Sequence, residues 1–306
     1  MLKMVFSLSV LVSLNLFAAN ANQNSYSQQL KILDDASSTI SLIPSYSSSS
    51  YSSKGQFTGR TISREMSGQD NTIKFEKGIN SVSSFSVQTL IGNTTLTQTI
   101  NGTKREYKFS GLGDVTFTYK ALQAKELSSV IWGGDFNLSL KSNELASTSD
   151  SGNYASGGHS IRPFVGYEFK NGTFVTGGLI SYQLFGDRES VFKDKNPANN
   201  FSETTTGGNI LEAIAFTEMH KTNYNFGVLA GVESENAHTI EKNNVLDTMD
   251  PRTFIKGNIY GNIVLNNDLS FSPTLKYRTL TSKNIDGYKI SKQDEMELFL
   301  GLNLNL

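Results

Sequence analysis

The chain has 306 residues, a formal net charge of −1 and no cysteine. That length allows one large domain or two small ones, and the charge offers no electrostatic case for nucleic-acid binding. Without cysteine there are no disulfides, no thiol catalysis and no cysteine-ligated metal, so core packing or a membrane must hold the chain.

Taken in chain order, Met1-Leu2-Lys3 precedes an apolar run from Met4 to Phe17 and the small-x-small pattern Ala19-Asn20-Ala21. A charged start, apolar middle and small-residue end predict a secretory signal peptide over residues 1–21, cleaved after Ala21. The run is too short to cross a bilayer comfortably, and no cysteine follows it to carry a lipid anchor. Residues 22–37 form an N-terminal leader, in which Ser25 to Ala36 is the one helix candidate, with Leu30, Ile32 and Leu33 as its small apolar face. It either folds as a plug into the mouth of the domain formed by residues 38–306 or stays a disordered leader.

From residue 38 the hydrophobic period changes to two, the period of a half-buried strand. Strands are predicted near 38–50, 70–77, 82–98, 111–122, 129–142, 158–169, 173–187, 208–220, 224–236, 253–265, 269–282 and 294–306. Tyr46 to Ser53 is a Ser/Tyr tract where the first strand runs out into a polar loop, and Thr58–Met66 either extends the second strand or belongs to a loop. The later strands show the alternation best. Leu269, Phe271, Pro273, Leu275 and Tyr277 oppose Ser270, Ser272, Thr274, Lys276 and Arg278. Met296, Leu298, Leu300, Leu302, Leu304 and Leu306 oppose Glu295, Glu297, Phe299, Gly301, Asn303 and Asn305. Successive strand side chains point to opposite faces, so each strand has one greasy and one polar side.

A soluble sandwich alternates too; strand length and loop sorting separate the two. Strands of about 11 to 14 residues exceed the globular norm of ~5–6 and reach the ~9–11 that a tilted spanning strand needs. Tight joints at Lys170-Asn171-Gly172, Lys221-Thr222-Asn223 and Asn266-Asn267-Asp268 alternate with long polar segments near 142–158, 188–207, 236–252 and 283–292. Outer-membrane barrels have short periplasmic turns and long external loops. The fold class predicted is all-β: a closed, transmembrane, up-and-down antiparallel β-barrel of about 12 strands, within a range of about 10–14 and with both ends in the periplasm.

Phe75, Phe85, Tyr119, Trp132, Phe169, Phe174, Tyr224, Phe226 and Phe271 fall on the apolar face near the periplasmic end, as an aromatic interface girdle would. The polar face, turned to the lumen, carries Lys74, Lys120, Lys141, Arg162, Lys256, Lys276 and Arg278. It also carries Glu76, Asp114, Asp135, Glu168, Glu212, Glu218, Glu233, Glu235, Glu295 and Glu297. Charges in a narrow lumen must pair or stay hydrated, so they either form a salt-bridged filling or line a thin aqueous path. A barrel of this size is wider than the ~8 strands that side chains just fill, which favours a path or pocket. The surplus of acids points to a weak preference for cations.

The segment Ser110-Gly111-Leu112-Gly113-Asp114-Val115-Thr116-Phe117-Thr118-Tyr119-Lys120 resembles the glycine-leucine-glycine-aspartate strand of the outer-membrane proteins associated with meta-pathway phenol degradation. The stretch Thr72-Ile73-Lys74-Phe75-Glu76-Lys77-Gly78-Ile79 is also similar, and the resemblance spans roughly residues 38–122. It implies a channel or transporter of small, often aromatic or hydrophobic, compounds. The last residue, Leu306, departs from the terminal aromatic common in outer-membrane barrels. Physically, Gly111 and Gly113 permit a tight bend where an external loop re-enters the wall. Asp114 then faces the lumen and either caps that bend, pairs with Lys120 or Lys141, or belongs to a solute site.

For catalysis the sequence offers His159-Ser160 near the external rim with Asp150 in the adjacent loop, and neither a nucleophile elbow nor a phosphate loop. His220, by a periplasmic turn, and His238, in an external loop, read as solvated. The expectation is a non-enzymatic outer-membrane channel for small molecules, without metal or cofactor. Its partners would be outer-membrane lipid, a small solute and the outer-membrane assembly machinery. A structural or surface-interaction barrel with a closed lumen and a rim hydrolase are the alternatives.

Overall fold

The computed structural model describes residues 30–35, 37–55, 59–146, 155–193, 196, 198, 200–242, 245–266, 268–281, 284–285 and 288–306. The signal peptide with its cleavage site, half of Ser25–Ala36, Thr58 and Asp150 lie outside the described residues.

Twelve long strands are the staves of a closed barrel: β1 (Ser38–Gly55), β2 (Thr61–Asn80), β3 (Ser83–Ile100), β4 (Thr103–Ala124), β5 (Ser128–Leu138), β7 (Ser160–Asn171), β8 (Phe174–Phe185), β11 (Ile210–His220), β12 (Tyr224–Glu235), β15 (Arg252–Val264), β16 (Leu269–Leu280) and β18 (Tyr288–Asn305). Each pairs antiparallel with the stave before it. β18 closes the ring on β1, from Thr39 opposite Asn305 to Gly55 opposite Tyr288. Closure leaves no stave as a free edge of the ring, the condition for placing a sheet in hydrocarbon. Thr61–Met66 extends β2, and β4 begins at Thr103, eight residues earlier than the alternation predicts.

The alternation fixes what each face shows. Ile161, Val165, Ile180, Leu211, Ile255, Ile259 and Leu275 stand exposed on the outside. Their strand neighbours Ser160, Ser181, Phe254 and Tyr260 are buried on the inside. Five short joints, near residues 81–82, 125–127, 172–173, 221–223 and 265–268, gather at one end with both described termini. Asn80 caps one by accepting the Val82 amide at 3.0 Å, and Asn266 caps another by accepting the Asp268 and Leu269 amides at 2.9 Å, as Asn side chains do in tight turns. In an outer-membrane barrel this short-turn end faces the periplasm.

At the other end the long loops are structured. They contribute β6 (Asn143–Ala146), β9 (Arg188–Lys193), β10 (Phe201–Gly207), β13 (His238–Lys242), β14 (Val245–Met249) and β17 (Asn284–Ile285). β6 touches the outer part of β4 and pairs in parallel with β9; β9 pairs with β10, β10 with β13, and β13 with β14. With the outer halves of β1 to β4, they continue the wall beyond the staves. Phe192 and Phe201 stack at 4.4 Å there, Tyr107 meets Phe192 edge-on, and the Lys242 ammonium lies 3.2 Å from the centre of the Phe201 ring. Burial pushes the Glu203 carboxyl up, and the charges of Lys242 and Arg64 oppose that shift.

The described part of the leader lies inside the barrel. Leu30 sits in a turn and residues 31–34 have no regular structure, so the helix predicted over Ser25–Ala36 does not extend through them. The apolar face predicted there still finds partners. Leu30, Ile32 and Leu33 are buried, the first two in a cluster with Leu122, Ile131, Val175, Phe216, Leu229 and Tyr260 at the short-turn end of the lumen. Two glycines on the inner wall make room: a Cβ on Gly166 would fall 2.9 Å from a Leu30 methyl, and one on Gly78 would fall 1.8 Å from the Asp34 carbonyl oxygen. The Gly78 amide donates to the Ser37 carbonyl at 2.9 Å, and the Lys120 ammonium donates to the Lys31 carbonyl at 3.1 Å.

Candidate functional site

Strand parity brings seven of the predicted lumen charges onto one connected band. On β5, Asp135 receives the Arg162 guanidinium of β7, with its Nε at 2.7 Å. Arg162 also reaches Glu212 of β11 at 3.8 Å, and Glu212 takes the Lys256 ammonium of β15 at 2.5 Å. Lys256 lies 3.6 Å from Glu233 of β12, Glu233 holds Arg278 of β16 at 2.8 Å, and Arg278 lies 3.4 Å from Glu295 of β18. Lys276 and Glu297 form a separate pair at 3.6 Å, with the Lys276 ammonium also over the Phe299 ring. Nearer the rim, Glu235 binds Arg252 at 2.8 Å and meets buried His238 at 3.3 Å, so His238 is enclosed where the sequence suggested a solvated loop.

Several of these pairs skip a strand, and for the two that meet at Glu212 a small residue on the stave between leaves the room. Ser181 of β8 has Glu212 as its register partner on one side and Phe164 on the other, so Arg162 reaches past it on the diagonal, and it donates to the Glu212 carboxylate at 3.2 Å. Gly231 of β12 lies between Lys256 and Glu212, with Lys256 as its register partner on one side and Ile214 on the other. A Cβ on Gly231 would come within 2.6 Å of Ile214. Sequence reasoning picked out the charges and missed these two spacers. Their signal was an inward-parity Ser or Gly flanked on both sides by staves bearing opposite charges.

The inner face of β1 to β4 is different in kind. It presents Ser41, Ser45, Ser86, Gln88, Thr94, Thr116 and Thr118, with Thr116 donating to Asn137 at 2.9 Å and Thr118 to Asp135 at 2.7 Å. Between this hydroxyl wall and the charged band lies a cavity of about 470 Å³. Leu30, Ile131, Phe164, Leu179 and Ile214 give it an apolar portion, and Ser86, Gln88, Asn137, Ser160 and Gln183 a neutral polar one. Lys74, Lys120, Asp135, Arg162 and Glu212 also reach it.

The remaining predicted residues fall elsewhere. Asp114 faces inward at a ladder irregularity where Thr89 pairs with Val115 and Ile91 with Leu112, next to Gly111 at a φ of 118° that a side chain would strain. Its carboxylate accepts from Asn137 and the Ser139 hydroxyl at 2.9 Å, and from the Ser156 amide at 3.1 Å. It therefore fastens the β5–β7 loop to the inner wall, in place of the Lys120 or Lys141 pairing predicted. Lys141 lies in the loop beyond β5 rather than on a stave, because β5 ends at Leu138. Glu168 and Glu218 are fully buried near the short-turn end, where Ser129 donates to Glu168 at 2.6 Å and Tyr260 to Glu218 at 2.9 Å. His220 lies 2.9 Å from Glu218, and Glu76 pairs with Lys74 and accepts from Ser84 at 3.2 Å. Phe75, Phe85, Tyr119, Trp132, Phe169, Phe174, Tyr224 and Phe226 stand exposed on the outer surface around the short-turn end, with partly covered Phe271 beside them.

His159 and Ser160 lie on opposite sides of the wall. The His159 ring accepts the Ser139 amide at 3.2 Å beside outward Phe136, whereas the Ser160 hydroxyl is buried inside and accepts from Gln183 at 3.0 Å. Adjacent strand residues diverge in this way, and a serine nucleophile needs its histidine within hydrogen-bond reach.

No protein-family model matches the sequence, and no curated protein matches it. Solved structures do match in shape. An outer membrane channel from Pseudomonas putida F1 superposes with a TM-score of 0.61 at 8% identity, covering 92% of this chain and 100% of that one. The β domain of the Bordetella autotransporter BrkA overlaps with a TM-score of 0.47 at 10% identity, covering 89% of this chain and 100% of that one. A TodX monoaromatic hydrocarbon channel variant gives 0.46 at 10% identity, covering 89% and 91%. With its apolar exterior, polar interior and twelve antiparallel staves, the chain has the fold of an outer-membrane β-barrel.

Proposed function

We propose that the barrel is a passive outer-membrane channel for small, partly apolar solutes, which pause in the lumen cavity on their way through. The cavity carries this reading: about 470 Å³ inside the barrel, with an apolar portion formed partly by Leu30 of the N-terminal segment and a neutral polar wall opposite. Its size lies within the ~300–1,000 Å³ typical of small-molecule sites. The fold shared with an outer membrane channel is consistent with this role, as is the resemblance of residues 110–120 to the phenol-degradation-associated transporters. Residues 30–37 act as a plug at the periplasmic mouth, seated by Leu30, Ile32 and Leu33.

A second reading, a structural barrel with a closed lumen, draws on the same plug and on the salt-bridged band. Planar-bilayer conductance decides between them. The native protein should pass small current steps, and the double variant Leu30→Asp, Ile32→Asp should pass larger ones that small aromatic solutes reduce. If both stay silent while folded, the closed barrel is the correct description.

A further inference from the structure

We propose that Glu212 sets the solute class of the lumen: it keeps the cavity electrically neutral, so the channel favours uncharged solutes over ions of either sign. This deepens the channel reading and rests on it.

Glu212 stands where the band meets the cavity. One carboxylate serves two bases, Lys256 at 2.5 Å and Arg162 at 3.8 Å, while Ser181 donates to it at 3.2 Å. Neither base belongs to a neighbouring stave; each reaches over a residue with little or no side chain, Ser181 or Gly231. The sharing continues, since Lys256 lies 3.6 Å from Glu233, and Glu233 in turn holds Arg278. Along Asp135, Arg162, Glu212, Lys256, Glu233, Arg278 and Glu295 the signs alternate without a break. The whole lumen face carries more acids than bases, yet at the cavity the charges are engaged. Asp135 holds Arg162, Lys74 is held by Glu76, and Lys120 donates to the Lys31 carbonyl. A permeating ion would exchange its hydration for a wall whose charges are already paired or hydrogen-bonded, whereas a neutral solute meets hydroxyls, amides and an apolar surface. Removing Glu212 leaves one positive charge of the Arg162–Lys256 pair uncompensated beside the cavity, and removing Arg162 leaves one negative charge uncompensated.

The chain has no cysteine, so a single one reports local potential cleanly. Gln88→Cys places a thiol on the cavity wall opposite the band. Its reaction rates with a cationic and an anionic methanethiosulfonate of similar size, each divided by the rate on a free thiol, give a ratio that reads charge alone. With the other residues unchanged, that ratio should lie near one. Adding Glu212→Gln should shift it roughly tenfold toward the anionic reagent, and adding Arg162→Gln should shift it the other way, the scale expected of one uncompensated charge in a partly hydrated lumen. Gel mobility before and after boiling confirms that each variant is folded. A ratio far from one in the starting protein, or one that neither substitution moves, overturns the assignment of Glu212 and leaves the channel standing. A thiol that neither reagent reaches overturns the channel and this inference together.

Discussion

Gly78 shows how much a single inner-wall residue decides. Its missing side chain is what allows the Asp34 carbonyl to lie against β2, since a Cβ there would stand 1.8 Å from that oxygen. Backbone on both sides leaves no rotamer to relieve the clash, and overpacking of this kind costs about 1–3 kcal/mol. Gly78→Val should therefore expel residues 30–37 while leaving the staves paired. Limited proteolysis reads this directly: cleavage near residues 30–37 should rise, with the heat-dependent gel shift of the barrel unchanged. A segment as well protected as in the native protein would count against the plug. In the sequence Gly78 is one more residue in a strand; its role depends on a segment some forty residues away, which no local pattern reveals.

The loop between β5 and β7 is fastened to the inner face of β4 by one carboxylate. Asp114 accepts from Asn137, Ser139 and Ser156, and hydrogen bonds to a charged group contribute about 1.5–3 kcal/mol each. Asp114→Ala should free the Ser156 amide to exchange at least roughly tenfold faster while the barrel melts at its native temperature, because only the loop opens. Equal exchange in the two proteins would show that the β6–β9 pairing holds the loop without Asp114. The element also marks the limits of pattern reading. Period-two alternation located all twelve staves, since each must be greasy outside and polar inside. It missed the outer parts of β2 and β4, where the strands leave the bilayer and nothing requires one face to be apolar. It missed β6, β9, β10, β13, β14 and β17 for the same reason.

At the scale of the molecule, the barrel presents an apolar exterior with exposed aromatics gathered at the short-turn end, the arrangement an interface girdle would have. Trp132 is the one tryptophan of the chain, half exposed on the outside with Tyr119 at a ring distance of 6.0 Å. In lipid its emission should be blue-shifted and quenched more strongly by bromines near the headgroups than by bromines at mid-chain, since interfacial aromatics sit at headgroup depth. Stronger quenching from the bilayer centre would move the girdle, and with it the periplasmic boundary.

Sequence by itself determined the staves, their inward and outward faces, and the alternation of short and long joints through the second half of the chain. Each of these follows from a local period of two, which lipid outside and water inside enforce residue by residue. Only the tertiary structure decided which charges meet, that Ser181 and Gly231 let them meet across a strand, and that Leu30 and Ile32 occupy the lumen instead of leading away from it. Those outcomes depend on the register and curvature of a closed sheet, which bring together residues that lie far apart along the chain.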